Sequence, residues 1–386
     1  MERPPAEPRA TRNPAAEIFL WTRAAIWAAA VFAFLAFEPN RHPQADRWDT
    51  PRLHELGYEI DVWARWDSDF FLRIAQDGYD SGSAAFFPLY PALVGLLGRA
   101  LLGQYVLAGV LISLAASLAA FWLLYGLAEP RLGAGGAQRS VLYLALFPMT
   151  LFLVAVYSEA LFLLLAVAAF ALAERGRFRE AGVATGLALL TRPFGLALLP
   201  AIALVAWRSS DRRRALLSLA AAPVLAALYP LLLWQQLDDP WAFAHAQDVW
   251  HRQLSPAGPF GGIWEGIRVV VTGDAPAGSA PLHATAVNVE GLIALVLFAV
   301  LTVVAWRRFG APYGLFAALS LALPLSVPSE RWPLLSLPRF GVVVFPFFLA
   351  LAWLGRTPRA HALILGTSAL FLGVAVTQWA LWQWVS

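Results

Sequence analysis

Apolar runs of bilayer-crossing length recur along this chain, and the short turns between many of them carry arginine. A run of about 20 apolar residues satisfies its backbone inside lipid only as a helix, so the pattern dictates an all-α polytopic membrane protein. Composition agrees: 59% of the 386 residues are hydrophobic and 14% are charged, against roughly 25% charged in soluble domains. Every basic residue is arginine, and a net charge of +3 is too small to suggest a nucleic-acid partner. Cysteine is absent, which excludes disulfides and thiolate metal sites.

The arginines orient the runs. Residues 1–17, with Arg3, Arg9 and Arg12, read as a cytoplasmic tail, and 18–386 as one transmembrane domain. The run at 18–37 has span length and lacks a small-x-small cleavage site, so it reads as a first membrane helix and not a signal peptide. Arg131 and Arg139, then Arg175, Arg177 and Arg179, then the arginines of SSDRRR, then Arg307 and Arg308, and finally Arg356 and Arg359 mark inner turns. Residues 181–207 lie between two such turns, so a single tilted span would place its basic ends on opposite sides. Two short helices broken at Thr191-Arg192-Pro193 resolve this and carry Arg192 to the outer side. The outer loops are expected at about 38–85, 235–289 and 328–339, the last with Arg331 and Arg339. The stretch 86–102, interrupted by Pro88 and Pro91, is expected either to lie in the interface or to span only half the bilayer. The total is about eleven transmembrane or half-spanning helices, with ends soft by a few residues.

Charge beside apolar surface is concentrated in WARWDSDFFLRIAQDGYDSGSAAFFPLYP, residues 63–91. Such charges are costly unless they meet water, substrate or one another. Carboxylates and guanidinium groups beside lipid suit glycosyl transfer from a lipid-phosphate donor. A carboxylate takes the acceptor's proton, and arginine stabilises a phosphate leaving group that needs no acid. Asp67 is the first candidate for the base. It also stands where a residue would cap the helix SDFFLRIAQ, with Asp69 in the first turn as a second candidate. Arg73 and Asp77 have the spacing of an i,i+4 pair, and Gly78 suits a helix C-cap.

Arg192, Arg339 and Arg65 are candidate donor-phosphate contacts. Tyr90, beside Phe86 and Phe87, is a candidate wall for a sugar or isoprenoid chain. Glu159, Trp250 and Arg252 complete the expected substrate contacts, although an acidic residue at a helix start, as at Glu159, is also ordinary. His245 and His251 are six apart with no convincing third ligand, so neither a metal nor another cofactor is expected. A transporter or lipid-carrier flippase with a charged outer gate is the competing reading. Against it, the charge is mostly peripheral and the chain shows no internal repeat.

RWDSDFFLRIAQDGY followed by AFFPLYP resembles the signature of the PIG-V family, the second mannosyltransferases of glycosylphosphatidylinositol-anchor synthesis, and of its bacterial relatives. VYSEALF, LLTRPFG, DPWAFAHAQDVWHR and SLPRFGVVVFPFF resemble later motifs of that family, in the same order. The resemblance implies a GT-C glycosyltransferase fold, a polyprenyl- or dolichyl-phosphate-mannose donor, inversion at the anomeric carbon and Asp67 as base. Glu159 and Arg192 match its later polar positions, whereas Asp69 falls at a more variable one. The composition looks like that of a bacterial relative, with the site outside the plasma membrane and a glycolipid, glycan or protein as acceptor.

Overall fold

The computed structural model describes residues 13–40, 48–273, 281–330 and 332–385. Arg3, Arg9, Arg12 and Arg331, which figure in the sequence reading, lie outside them. Helix α1 (Ala15–Ala36) is the expected first span. The loop after it leads to α2 (Ser68–Asp77), α3 (Leu89–Ala100) and α4 (Tyr105–Leu146). Within α4, Gly133 takes φ 67° and ψ 171°, which only glycine adopts at low cost. The expected inner turn is therefore a kink joining two helices. The apolar run continues beyond this kink, stays α-helical only to Leu146 and tightens into a 3₁₀ segment at Pro148–Leu153.

Helix α5 (Glu159–Glu174) packs against α4, α6 (Phe178–Leu189) and α7 (Gly195–Trp207). Helices α6 and α7 are separate, with the break at Thr191-Arg192-Pro193 that the charge pattern requires. Proline cannot donate there and disfavours helical geometry at the residue before it. Next come α8 (Arg212–Ser218), α9 (Ala221–Ala226) and α10 (Leu228–Leu237), which together form one 26-residue apolar stretch.

The second expected loop holds α11 (Ala242–Val249) and α12 (Pro259–Thr272), and it ends early because α13 (Pro281–Phe309) begins before residue 289. After α14 (Ala311–Ser326), the short α15 (Leu337–Phe340), continued by a 3₁₀ turn to Val343, and α16 (Pro346–Leu354) meet at a bend of 89°. Helix α17 (Pro358–Ala380) closes the fold.

Among the described residues, five helices are long and apolar enough to cross a membrane, or six with the bent pair. The expected eleven segments thus divide into these crossings and shorter apolar helices such as α3, α7 and α14. The molecule is a multi-pass integral membrane protein.

Helix α5 fixes the long axis of the site. Glu174 at its C-terminal end pairs with Arg131 and accepts from the Tyr313 hydroxyl. Glu159 at its N-terminal end lies roughly 22 Å away at 1.5 Å rise per residue, among the candidate functional residues.

Candidate active site

The turn before α2 brings Asp67 forward. Trp66 adopts φ 53°, in the left-handed region that bulky residues avoid. The Ser68, Asp69 and Phe70 amides then bond back to the carbonyls of Arg65, Trp66 and Asp67 at 3.1–3.2 Å. These tight bonds satisfy the first turn, so Asp67 holds the N-cap position while its side chain makes no capping bond. The carboxylate is free for other work. Its Oδ2 accepts from Arg339 Nη1 at 2.8 Å, and the side chain retains 17% exposure.

Arg339 is shared. Its Nε donates to Glu159 Oε1 at 2.6 Å, while its guanidinium lies 4.6 Å from the centroid of the Tyr157 ring. Glu159 is wholly buried, and its other oxygen lies 2.8 Å from Arg192 Nη1, which also donates to Ser158 Oγ at 3.0 Å. Four charges therefore run in alternation, Asp67, Arg339, Glu159, Arg192. Alternation lets a low-dielectric site hold them, because each charge has an opposite neighbour that offsets its desolvation.

The Arg192 position follows from the α6–α7 break. Ser336 at φ 65° turns the chain into α15 and so positions Arg339.

Arg252 comes from the loop after α11. His251, at φ 51°, precedes it; Arg252 forms an isolated antiparallel bridge with Ser329, and the Glu330 amide donates to the His251 carbonyl at 2.8 Å. The Arg252 guanidinium lies within electrostatic reach of Asp67 and Arg339. Burial pulls its pKa down to about 10, Asp67 opposing that fall and Arg339 adding to it. Its one hydrogen bond among the described residues is a long one, Nη1 to the Val327 carbonyl at 3.4 Å. Trp250, two residues earlier, packs its ring against Phe70 at 5.3 Å and Phe86 at 5.8 Å, forming an aromatic wall beside the Asp67 turn.

Other candidates fall elsewhere. Arg65 is not grouped with Arg192 and Arg339: its Nη1 donates to the carbonyls of Asp61 and Ala64, and its guanidinium stacks 4.2 Å from the Trp382 ring. It lines a separate recess with Asp49, His54 and Asp61. Burial lowers its pKa to about 10. Asp69 is buried and accepts from the Thr50 hydroxyl at 2.5 Å, which ties the preceding loop to α2. Tyr90 is fully buried, with its hydroxyl on the Gly109 carbonyl and Ser113 Oγ, both at 3.1 Å. Its neighbour Phe86 stacks on Phe70 at 4.6 Å.

The expected Arg73–Asp77 pair does not form: Arg73 pairs with Asp80 at 3.3 Å and Asp77 with Arg52. The loop before α2 supplies Arg52, a tertiary partner that the i,i+4 spacing could not reveal. Gly78 does end the helix, at φ 90°. His245 bonds Asp239 at 2.7 Å, and no cluster of three metal-ligating side chains occurs among the described residues. Sequence reasoning passed over Tyr157 and Ser158. Their signal was adjacency to Glu159 in VYSEALF.

An all-helical, multi-span membrane protein with charged groups gathered at one end of the bundle is the class that fold and site define. The fold is similar to that of ArnT from Cupriavidus metallidurans, solved bound to undecaprenyl phosphate. The TM-score is 0.53 at 15% sequence identity, over 92% of this chain and 63% of that one. Residues 57–210 match the mannosyltransferase (PIG-V) family.

Among curated proteins, the GPI alpha-1,6-mannosyltransferase 2 of Homo sapiens is 36% identical over 162 residues, 37% of this chain and 32% of its own length. The Rattus norvegicus protein of the same description is 35% identical over 178 residues, 41% of this chain and 35% of its own. The matched stretch thus spans about a third of each relative's length. The family match at 57–210 contains Asp67, Glu159 and Arg192, and it ends before Arg252 and Arg339.

Proposed function

We propose that this protein transfers mannose from a polyprenyl-phosphate-mannose donor to an acceptor hydroxyl at the extracytoplasmic face of a bacterial plasma membrane, inverting the anomeric carbon. The observation that carries the reading is Asp67. It is a partly open carboxylate at the edge of a buried charge network, with Oδ2 held by Arg339 and no protein partner on Oδ1 among the described residues. In this mechanism the acceptor O–H gives its proton to Asp67. The acceptor oxygen attacks the anomeric carbon, and the bond from that carbon to the phosphate oxygen breaks on the opposite face. The phosphate leaves with the bonding pair, and its charge needs a cation.

Arg252 fits that need best. Arg339 and Arg192 are already engaged with Asp67 and Glu159, whereas Arg252 is committed to one long bond to a carbonyl. Arginine donors meet phosphate oxygens in pairs, so they can carry the positive charge the leaving group requires. The PIG-V match supports mannose as the sugar, and undecaprenyl phosphate on the similarly folded ArnT supports a lipid-linked donor. The acceptor belongs to the glycolipid, glycan or protein classes.

The test supplies purified protein with a panel of polyprenyl-phosphate sugars and measures donor consumption and product. Asp67→Asn should keep its fold and lose about 10²- to 10⁴-fold in turnover, the usual contribution of a general base. Unaltered turnover in that variant removes Asp67 as base. Movement of lipid across vesicles with no glycosyl product points to a flippase instead.

A further inference from the structure

We infer that Tyr157 is the positioning residue that holds Asp67 in its working orientation; the inference rests on Asp67 being the base. The Tyr157 hydroxyl takes the Asp67 amide hydrogen at 3.1 Å and donates its own to the Arg65 carbonyl at 3.1 Å. Those two groups flank Trp66, the residue in the left-handed region at φ 53°. One hydroxyl therefore closes both sides of the strained turn that presents Asp67, and strain of this kind persists only where its surroundings hold it.

The same ring supports the partner cation. Arg339 lies over it at 4.6 Å, so Tyr157 orders both ends of the Arg339–Asp67 bond. Tyr157 is itself fixed. It is 1% exposed, the neighbouring Val156 amide donates to the Trp63 carbonyl at 2.9 Å, and Trp379 and Phe152 pack against its ring at 5.7 and 5.1 Å. Its one hydrogen is spent on the Arg65 carbonyl and the ring is buried, so it acts through Asp67 and not on substrate.

Tyr157→Phe deletes one oxygen and keeps the ring. Tyr143→Phe is the matched control: Tyr143 is equally buried, and its hydroxyl meets His361 at 2.7 Å at the inner end of the bundle. Turnover in Tyr157→Phe should fall about 10- to 100-fold, the scale of a small misplacement of a reacting group. KM for donor and acceptor should stay within about twofold, and Tyr143→Phe should stay close to the parent in both.

Amide hydrogen exchange in the peptide spanning 65–69 should accelerate in Tyr157→Phe and not in Tyr143→Phe. Exchange requires no turnover, so it decides the positioning role even for a chain that proves to transfer no mannose. An Asp67 amide equally protected in both variants, or equal losses of turnover in the two, overturns the inference.

Discussion

The four alternating charges differ in what each would cost to remove. Glu159 has no exposure and holds two arginines. Neutralising it leaves buried cations without their counter-charge, a change typically worth about 3–5 kcal/mol. Glu159→Gln should therefore lower thermal stability in detergent well below the parent, whereas Asp67→Asn, at a site that keeps 17% exposure, should lower it far less. The order of the two melting temperatures checks this, and a reversed order would mean that Asp67 is the structural member. Arg252 belongs to a third kind, a cation with little to hold in the resting protein. Arg252→Gln should leave the melting temperature near the parent value and raise KM for the lipid-phosphate donor about tenfold, which is one charge-assisted contact at roughly 1.4 kcal/mol. Donor titrations against both proteins measure it.

Among elements, the break between α6 and α7 bears most on the site because it sets the height of Arg192. A Cβ at Gly195 would stand 2.6–2.9 Å from the backbone and side chain of Leu189, the last residue of α6. Backbone atoms cannot swing aside as a side-chain end can, so the two helices approach this closely only over glycine. Gly195→Ala should open the break, costing about 1–3 kcal/mol in the manner of overpacking, and should reduce transfer by drawing Arg192 away from Glu159. A melting curve and a turnover assay on the same preparation read both effects. The bend between α15 and α16 serves Arg339 in a similar way, turning the chain by 89° beside the site.

At the scale of the whole molecule, α5 separates a charged cluster at its Glu159 end from arginine-bearing turns at its Glu174 end. The positive-inside rule assigns the latter to the cytoplasm. Because the chain contains no cysteine, single introduced thiols report sidedness without background. Exposed Ser81→Cys, in the loop after α2, should react with a membrane-impermeant thiol reagent on intact cells, and exposed Ser210→Cys, between α7 and α8, should react only after lysis. The opposite pattern would put Asp67 in the cytoplasm and end the extracytoplasmic reading.

Local sequence by itself marked the long apolar runs, the break at Thr191-Arg192-Pro193, the start of α5 at Glu159 and the C-cap at Gly78. Each depends on neighbours within a few positions, through hydrophobic run length, proline's missing donor or glycine's backbone freedom. Tertiary structure alone decided which charges meet. Arg339 reaches Asp67 across 272 positions and Glu159 across 180, and Arg73 leaves Asp77, its apparent i,i+4 partner, for Asp80. Arg65 and Tyr90 stand within the densest motif of the sequence, yet one faces a separate recess and the other the core. Ion pairing is chosen by distance in three dimensions and by what burial demands of each charge, and neither quantity is written in the local order of residues.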